Sequence, residues 1–134
     1  MTTARGALQR LVELTEDGAL DDFLRDHGVE LLTAFGSATR TGGVAADLDL
    51  AVALAPQADL YGLVADLIGL LGFDNIDVVD LATADVVLAA EALGVCLPIF
   101  EAERGLYARR QMAALTEKME TAYLRRLDLR LLSS

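Results

Sequence analysis

Two strand-like runs joined by a glycine-rich turn constrain this chain more than any other feature. Val29 to Phe35 is a short apolar run with β-branched and aromatic members, which reads as a buried strand. Asp47 to Leu54 alternates: Asp47, Asp49, Ala51 and Ala53 point one way, and Leu48, Leu50, Val52 and Leu54 the other. That predicts a strand with one apolar face. Between the runs, Gly36-Ser-Ala-Thr-Arg-Thr-Gly-Gly43 is turn chemistry with three glycines. A connection this short predicts that the two strands are antiparallel neighbours.

The remaining pattern surrounds this pair with helices. Leu8, Leu11, Val12 and Leu14 mark one face of a helix over residues 3–15, and Gly18 interrupts it. A second short helix turns Leu20, Phe23 and Leu24 inward and ends at Gly28. Pro56 opens a helix that runs through Leu71 and closes at Gly72. Ile76 to Leu81 reads as a third strand. Thr83 to Leu93 reads as a helix whose Thr83-x-Asp85 start offers an N-cap. Val95 to Phe100 reads as a fourth strand, and Pro98 assigns it to a sheet edge. A long helix follows over residues 102–132, where Leu115, Met119, Tyr123, Leu127 and Leu131 recur as an apolar stripe expected to be core. The expected fold is α/β (α+β), one domain over residues 1–134 with a small mixed β-sheet flanked by helices. At 134 residues and 54% apolar, the chain can build one core and is too hydrophobic for disorder.

Charge excludes several function classes. Residues 1–100 carry a net charge of −12 and residues 101–134 a net of +2. An acidic body does not coat nucleic acid or anionic membranes, since both need Lys and Arg. It suits cations or a basic protein partner. Cys96 is the only cysteine, so no intramolecular disulfide forms, and its apolar setting reads as a small buried hydrophobe. The only histidine, His27, reads as a solvated cap or turn residue. No apolar stretch approaches the ~18 residues of a membrane span, and no signal-peptide core follows Met1; the cytoplasm is the expected compartment.

The chemistry concentrates at the turn and the strand after it. Asp47 and Asp49, two residues apart on a strand, project from one face, close enough to share a metal. Side by side they repel unless a cation neutralises them, and oxygen-only ligands select Mg²⁺ or Mn²⁺ over zinc. Gly36 lets the backbone approach a ligand closely, its amide and that of Ser37 donate to phosphate oxygens as the Ser37 hydroxyl can, and Arg40 adds positive charge. Arg40 is one of four basic residues before position 101. If the second and third strands adjoin, Asp77 completes a three-carboxylate set of the kind that holds two metals for phosphoryl transfer. Asp80 has the opposite parity and reads as a strand-end or solvent-facing residue.

This arrangement resembles the DNA polymerase β-like nucleotidyltransferase superfamily, whose pattern is Gly-Ser, a short gap, Asp-x-Asp, and a later carboxylate. It looks specifically like the minimal nucleotidyltransferases, the MNT or MntA-type antitoxins. The matching residues are Phe35-Gly-Ser-x-x-Arg40, Asp47-Leu-Asp-Leu50 and Ile76-Asp-Val-Val-Asp-Leu81, with Ala90-Glu-x-x-Gly94 and Leu106-Tyr107 further on. The resemblance implies a polymerase-β-like core with a long C-terminal helix. It implies that Gly36 and Ser37 bind the triphosphate of ATP, that Asp47 and Asp49 ligate two Mg²⁺ ions, and that Asp77 ligates the catalytic one and assists the acceptor hydroxyl. It also implies a HEPN-domain ribonuclease toxin as partner, blocked by transfer of AMP to one of its tyrosines. Two departures stand out. Nine residues separate Ser37 from Asp47, one fewer than the family usually has, and Ala46 stands where a serine usually precedes the first Asp.

Three readings follow. The first is a Mg²⁺-dependent adenylyltransferase acting on a partner toxin. The second is an antitoxin that neutralises by contact alone. The third is nucleotide transfer to a small molecule, with the acceptor pocket completed by oligomerisation. The acid set favours the first over the second, and the short chain favours it over the third, because small-molecule members of the superfamily usually add a helical acceptor domain.

Overall fold

The computed structural model describes residues 3–40 and 42–133. Within them, the chain runs α1 (Ala4–Glu16), α2 (Ala19–Asp26), β1 (Val29–Phe35), a single 3-10 turn (Ser37–Thr39), β2 (Leu48–Leu54), α3 (Leu60–Leu71), β3 (Ile76–Asp80), α4 (Val86–Gly94), β4 (Leu97–Glu101) and α5 (Leu106–Ser133). The sheet order is β3-β2-β1-β4. β1 and β2 are antiparallel neighbours as their short connection requires, and β4 is an edge strand as Pro98 indicates. β2 and β3 run parallel, so the sheet is mixed.

Helix starts depend on capping side chains, and three of them fall later than hydrophobic periodicity suggests. Pro56 does not open α3. It lies in a turn closed by the Ala58 amide on the Ala55 carbonyl, and Asp59 caps the helix by accepting from the Tyr61 amide at 3.1 Å. Asp85 caps α4 by accepting from the Leu88 amide at 2.8 Å, which leaves Thr83 in the turn after β3. α5 begins at Leu106, where the Glu101 carboxylate accepts from the amides of Gly105 and Tyr107 at 3.3 and 3.0 Å.

β2 has two buried faces, not one. Leu48, Leu50 and Val52 pack with α1, α2 and α3 around Leu11, Leu24, Leu63 and Leu67. Ala51 and Ala53 are buried on the opposite face with Leu31, Phe35, Leu93 and Ala114 under α4 and α5. The alternation conceals this because alanine is small enough to lie under a close helix, so the sheet is a filling between two helical layers. Thr33 on the α4 side is fully buried, and its hydroxyl donates to the Ala92 carbonyl at 3.1 Å, so no buried donor is lost.

The α5 stripe is the largest difference. Among the described side chains of this helix Ala114 is the buried one, whereas Met119 is 78% exposed and Leu131 66%, with Leu115 and Leu127 also exposed. The Tyr123 side chain lies outside the described residues. A period-four apolar stripe satisfies both a core face and a surface face, and here its distal part is surface.

Candidate active site

The β1-β2 register pairs Phe35 with Asp49, so the residue after Phe35, Gly36, turns directly beside the Asp49 side chain. Gly36 has φ +76° and ψ −158°, a region reserved to glycine. A Cβ there would collide with the Asp49 carboxylate and lie 3.2 Å from its Cγ. Gly36 is required for both its backbone and its empty space. After it, the Ser37–Thr39 turn is closed by Thr39, whose hydroxyl donates to the Gly36 carbonyl at 2.7 Å. Ser37 and Arg40 are exposed at this turn.

Asp77 is the register partner of Asp49 on the parallel strand β3. The expected adjacency of second and third strands therefore holds, and it brings the two carboxylates to one face. Asp47 differs from expectation: it stands just before β2, not within it. Its Oδ1 accepts from Asn75 Nδ2 at 2.6 Å, and the same amide reaches the Ala46 carbonyl at 2.8 Å. Among the described residues, no three acidic, imidazole or thiol side chains stand together as a ready-formed metal site. The three acids are electrostatic neighbours without converging on one point.

Burial, and then the negative charges of Asp77, Asp47 and Glu91, push the Asp49 carboxyl above the ordinary carboxylate range. A cation would relieve that repulsion, the donors are all oxygen, and Gly36 leaves the Asp49 carboxylate the space it occupies. The residues present fit a hard divalent ion. Asp80 ends β3, and its carboxylate accepts from the Ala82 amide at 3.0 Å, a strand-end role as parity indicates.

Sequence reasoning missed four residues here. Glu91 of α4 contributes charge to Asp49. Asn75 orients Asp47. Lys118 of α5 shares a cleft with Gly36 and Arg40. Arg5 of α1 donates to the carbonyls of Arg40, Gly42 and Gly43 at 3.0, 2.6 and 2.7 Å, gripping the glycine loop between turn and acids. Asn75, immediately before β3, carries a signal in hindsight, since an Asn at a strand start can bond neighbouring backbone. The other three come from sequence positions too distant to suggest the contact.

Two residues singled out in the sequence lie outside the site. His27 caps α2 and also pairs with Asp66 of α3 at 2.9 Å, so it ties two helices together. Cys96 packs with the α4-side core, and its Sγ lies 3.2 Å from the Tyr107 hydroxyl. Burial pushes the Cys96 thiol up, and burial with the Cys96 contact pushes the Tyr107 hydroxyl up to about 12. Both stay protonated at neutral pH and serve as structure.

No protein-family model and no curated protein matches this chain. Solved structures do. A toxin–antitoxin complex with AMP-PNP matches at TM-score 0.68 and 21% identity, covering 86% of this chain and 96% of that one. The toxin–antitoxin MntA–HepT matches at 0.65 and 21%, covering 91% and 99%. A tri-AMPylated Shewanella oneidensis HEPN toxin in complex with MNT antitoxin matches at 0.66 and 20%, covering 91% and 98%. Among the described residues no helix is long and apolar enough to cross a membrane. The chain has the mixed α/β fold seen in the MntA–HepT and MNT antitoxin structures.

Proposed function

We propose that this protein is an antitoxin nucleotidyltransferase that moves AMP from ATP to a tyrosine of a HEPN-domain toxin. The observation that carries this reading is the junction of Gly36 with Asp49 and Asp77. A turn that only glycine can make lies against one acid, while the sheet register sets a second acid beside it. The fold likeness to a toxin–antitoxin structure with AMP-PNP and to an MNT antitoxin in complex with an AMPylated toxin supports the same chemistry.

In this reading Asp49 and Asp77, joined by Asp47, would hold Mg²⁺, which when bound supplies positive charge for the developing phosphoryl transition state. The backbone at Gly36 and Ser37, the Ser37 hydroxyl and the Arg40 guanidinium bind the triphosphate. Asp77, exposed at its strand position, is the carboxylate open to an incoming hydroxyl and takes its proton. The tyrosine oxygen forms a bond to the α-phosphorus as the bond to pyrophosphate breaks. Asn75 keeps Asp47 in place and does not touch the reacting atoms.

The test is to incubate the protein with Mg-ATP and the HEPN-domain protein encoded beside it, then weigh that partner by mass spectrometry. AMP additions that vanish in Asp49→Asn are expected. An unchanged partner mass with wild-type protein, or additions that persist in Asp49→Asn, overturns the reading. A second reading, neutralisation by contact alone, draws on the exposed Met119, Leu124 and Leu132 of α5. It is the one that survives if toxin is neutralised by Asp47→Asn/Asp49→Asn without AMP transfer.

A further inference from the structure

Among the Gly36 turn, α4 and α5 lies an open cleft of about 600 Å³, within the ~300–1,000 Å³ usual for small-molecule sites. Gly36 and Arg40 of the turn line it with Ala90 and Glu91 of α4 and Leu115 and Lys118 of α5. Lys118 is the only lysine in the chain.

Its presence there is fixed by how α5 is fastened. The Tyr107 hydroxyl donates to the Leu93 carbonyl at 2.9 Å. One turn on, Gln111 Nε2 donates to the Leu93 carbonyl at 3.0 Å and meets the Tyr107 oxygen at 3.0 Å. One turn further, Leu115 Cδ2 stands 3.3 Å from where a Cβ on Gly94 would lie, so the bare Gly94 permits the close approach. Residues 107, 111, 115 and 118 follow one face of a helix. The stripe that binds α5 to the end of α4 therefore delivers Lys118 to the cleft that Arg40 also lines. Two cations, Arg40 and Lys118, line the cleft together with Gly36, and apart from Glu91 its α4 and α5 walls are apolar, with Val87, Ala90 and Leu115. That combination suits a ligand with a polyphosphate at one end and a flat, weakly polar body at the other.

We propose that Lys118 binds the β- and γ-phosphates of the nucleoside triphosphate together with Arg40, which makes α5 a wall of the nucleotide site. This rests on the nucleotidyltransferase reading above. An ammonium acts there as a mobile point charge, and α5 contributes to donor binding as well as to shape.

The experiment is isothermal titration calorimetry with AMP-PNP and with AMP, each with Mg²⁺, on wild type, Lys118→Ala and Lys118→Arg. Lys118→Ala is expected to weaken AMP-PNP binding about tenfold or more, as loss of one charge-assisted phosphate contact does. AMP binding should change by less than about threefold, and Lys118→Arg should restore most of the triphosphate affinity. Lys118 is exposed, so its thermal melt should match wild type. Wild-type affinity for AMP-PNP in Lys118→Ala overturns this inference alone, as does an equal loss of AMP and AMP-PNP. Wild-type protein that binds neither nucleotide overturns the functional reading itself, and this inference with it.

Discussion

Gly36→Ala separates two demands that the structure makes at one atom. The backbone there, φ +76° and ψ −158°, is in a region essentially closed to residues with a Cβ, at a cost of about 1–3 kcal/mol. The added methyl carbon would also collide with the Asp49 carboxylate, 3.2 Å from Cγ and 3.4 Å from Cβ of that side chain. A carboxylate is the tip of a short rotor and can swing away, at about 0.5–1.5 kcal/mol for leaving its preferred rotamer. Against these, alanine restricts the unfolded chain and returns about 0.4–1 kcal/mol. The net expectation is a loss of about 2–3 kcal/mol, or roughly 6–12 °C in Tm for a chain of this size. The assay is urea unfolding followed by far-ultraviolet circular dichroism, since the chain has no Trp. Pairing the change with Asp49→Ala in a double-mutant cycle should recover about 1 kcal/mol, the rotor contribution, and leave the backbone cost in place. Gly36→Ala unfolding at the wild-type midpoint would refute the backbone argument, and zero coupling in the cycle would refute the contact. AMP transfer should fall further than stability, because the displaced group is the acid at the centre of the proposed site.

Other expectations follow from the same geometry. Asp49 has a raised carboxyl pKa, so the folded protein binds its proton more tightly than the unfolded chain; stability therefore falls as pH rises from the ordinary carboxylate range through the raised value. Asp49→Asn should unfold at a higher temperature than metal-free wild type at pH 7, with the gain vanishing below the ordinary range; a loss of stability at pH 7 would contradict it. Glu101 shows the opposite sign: its bonds from the Tyr107 and Gly105 amides hold its carboxyl low, so its contribution is present above the ordinary range and lost as pH falls through the lowered value. Glu101→Gln should flatten the acid limb of a pH–stability curve, and an unchanged limb would contradict the capping role. Arg5→Ala should cost about 1 kcal/mol for exposed charge-assisted bonds, yet slow AMP transfer more, by freeing the loop that carries Arg40; hydrogen exchange at Gly42 and Gly43 should rise, and unchanged exchange would remove the clamp. The acidic excess over residues 1–100 should speed encounter with a basic toxin, so association rates that ignore ionic strength would refute steering.

What the sequence made legible was local. The β1-β2 pair, the edge position of β4 and the strand-end role of Asp80 follow from short turns, a proline and parity, all readable within a few residues. The adjacency of Asp77 to Asp49 needed one assumption about strand order, and the register supports it. What was hidden depends on which helix lands on which face. Ala51 and Ala53 read as the outer side of β2 because alanine does not register in an alternation, and only the docking of α4 buries them. Glu91, Lys118 and Arg5 reach the site from helices whose periodicity says nothing about the end of the sheet they will cover. The α5 stripe misled for the converse reason: spacing reports a face, not what covers it.

The parallel register of β2 and β3 has a consequence for how the site could change over time. Asp49 and Asp77 occupy matched positions on adjacent strands, so their backbones are held apart by the interstrand repeat, about 4.8 Å. That interval belongs to the sheet, and no side-chain substitution nearby can adjust it by tenths of an ångström. A slip of one residue would set Ile76 or Val78 opposite Asp49 and send Asp77 to the far face of the sheet. The backbone spacing of the pair is therefore inherited in whole steps: a lineage carrying this sheet keeps the matched positions or loses them, and only the side chains are left to tune the carboxylates.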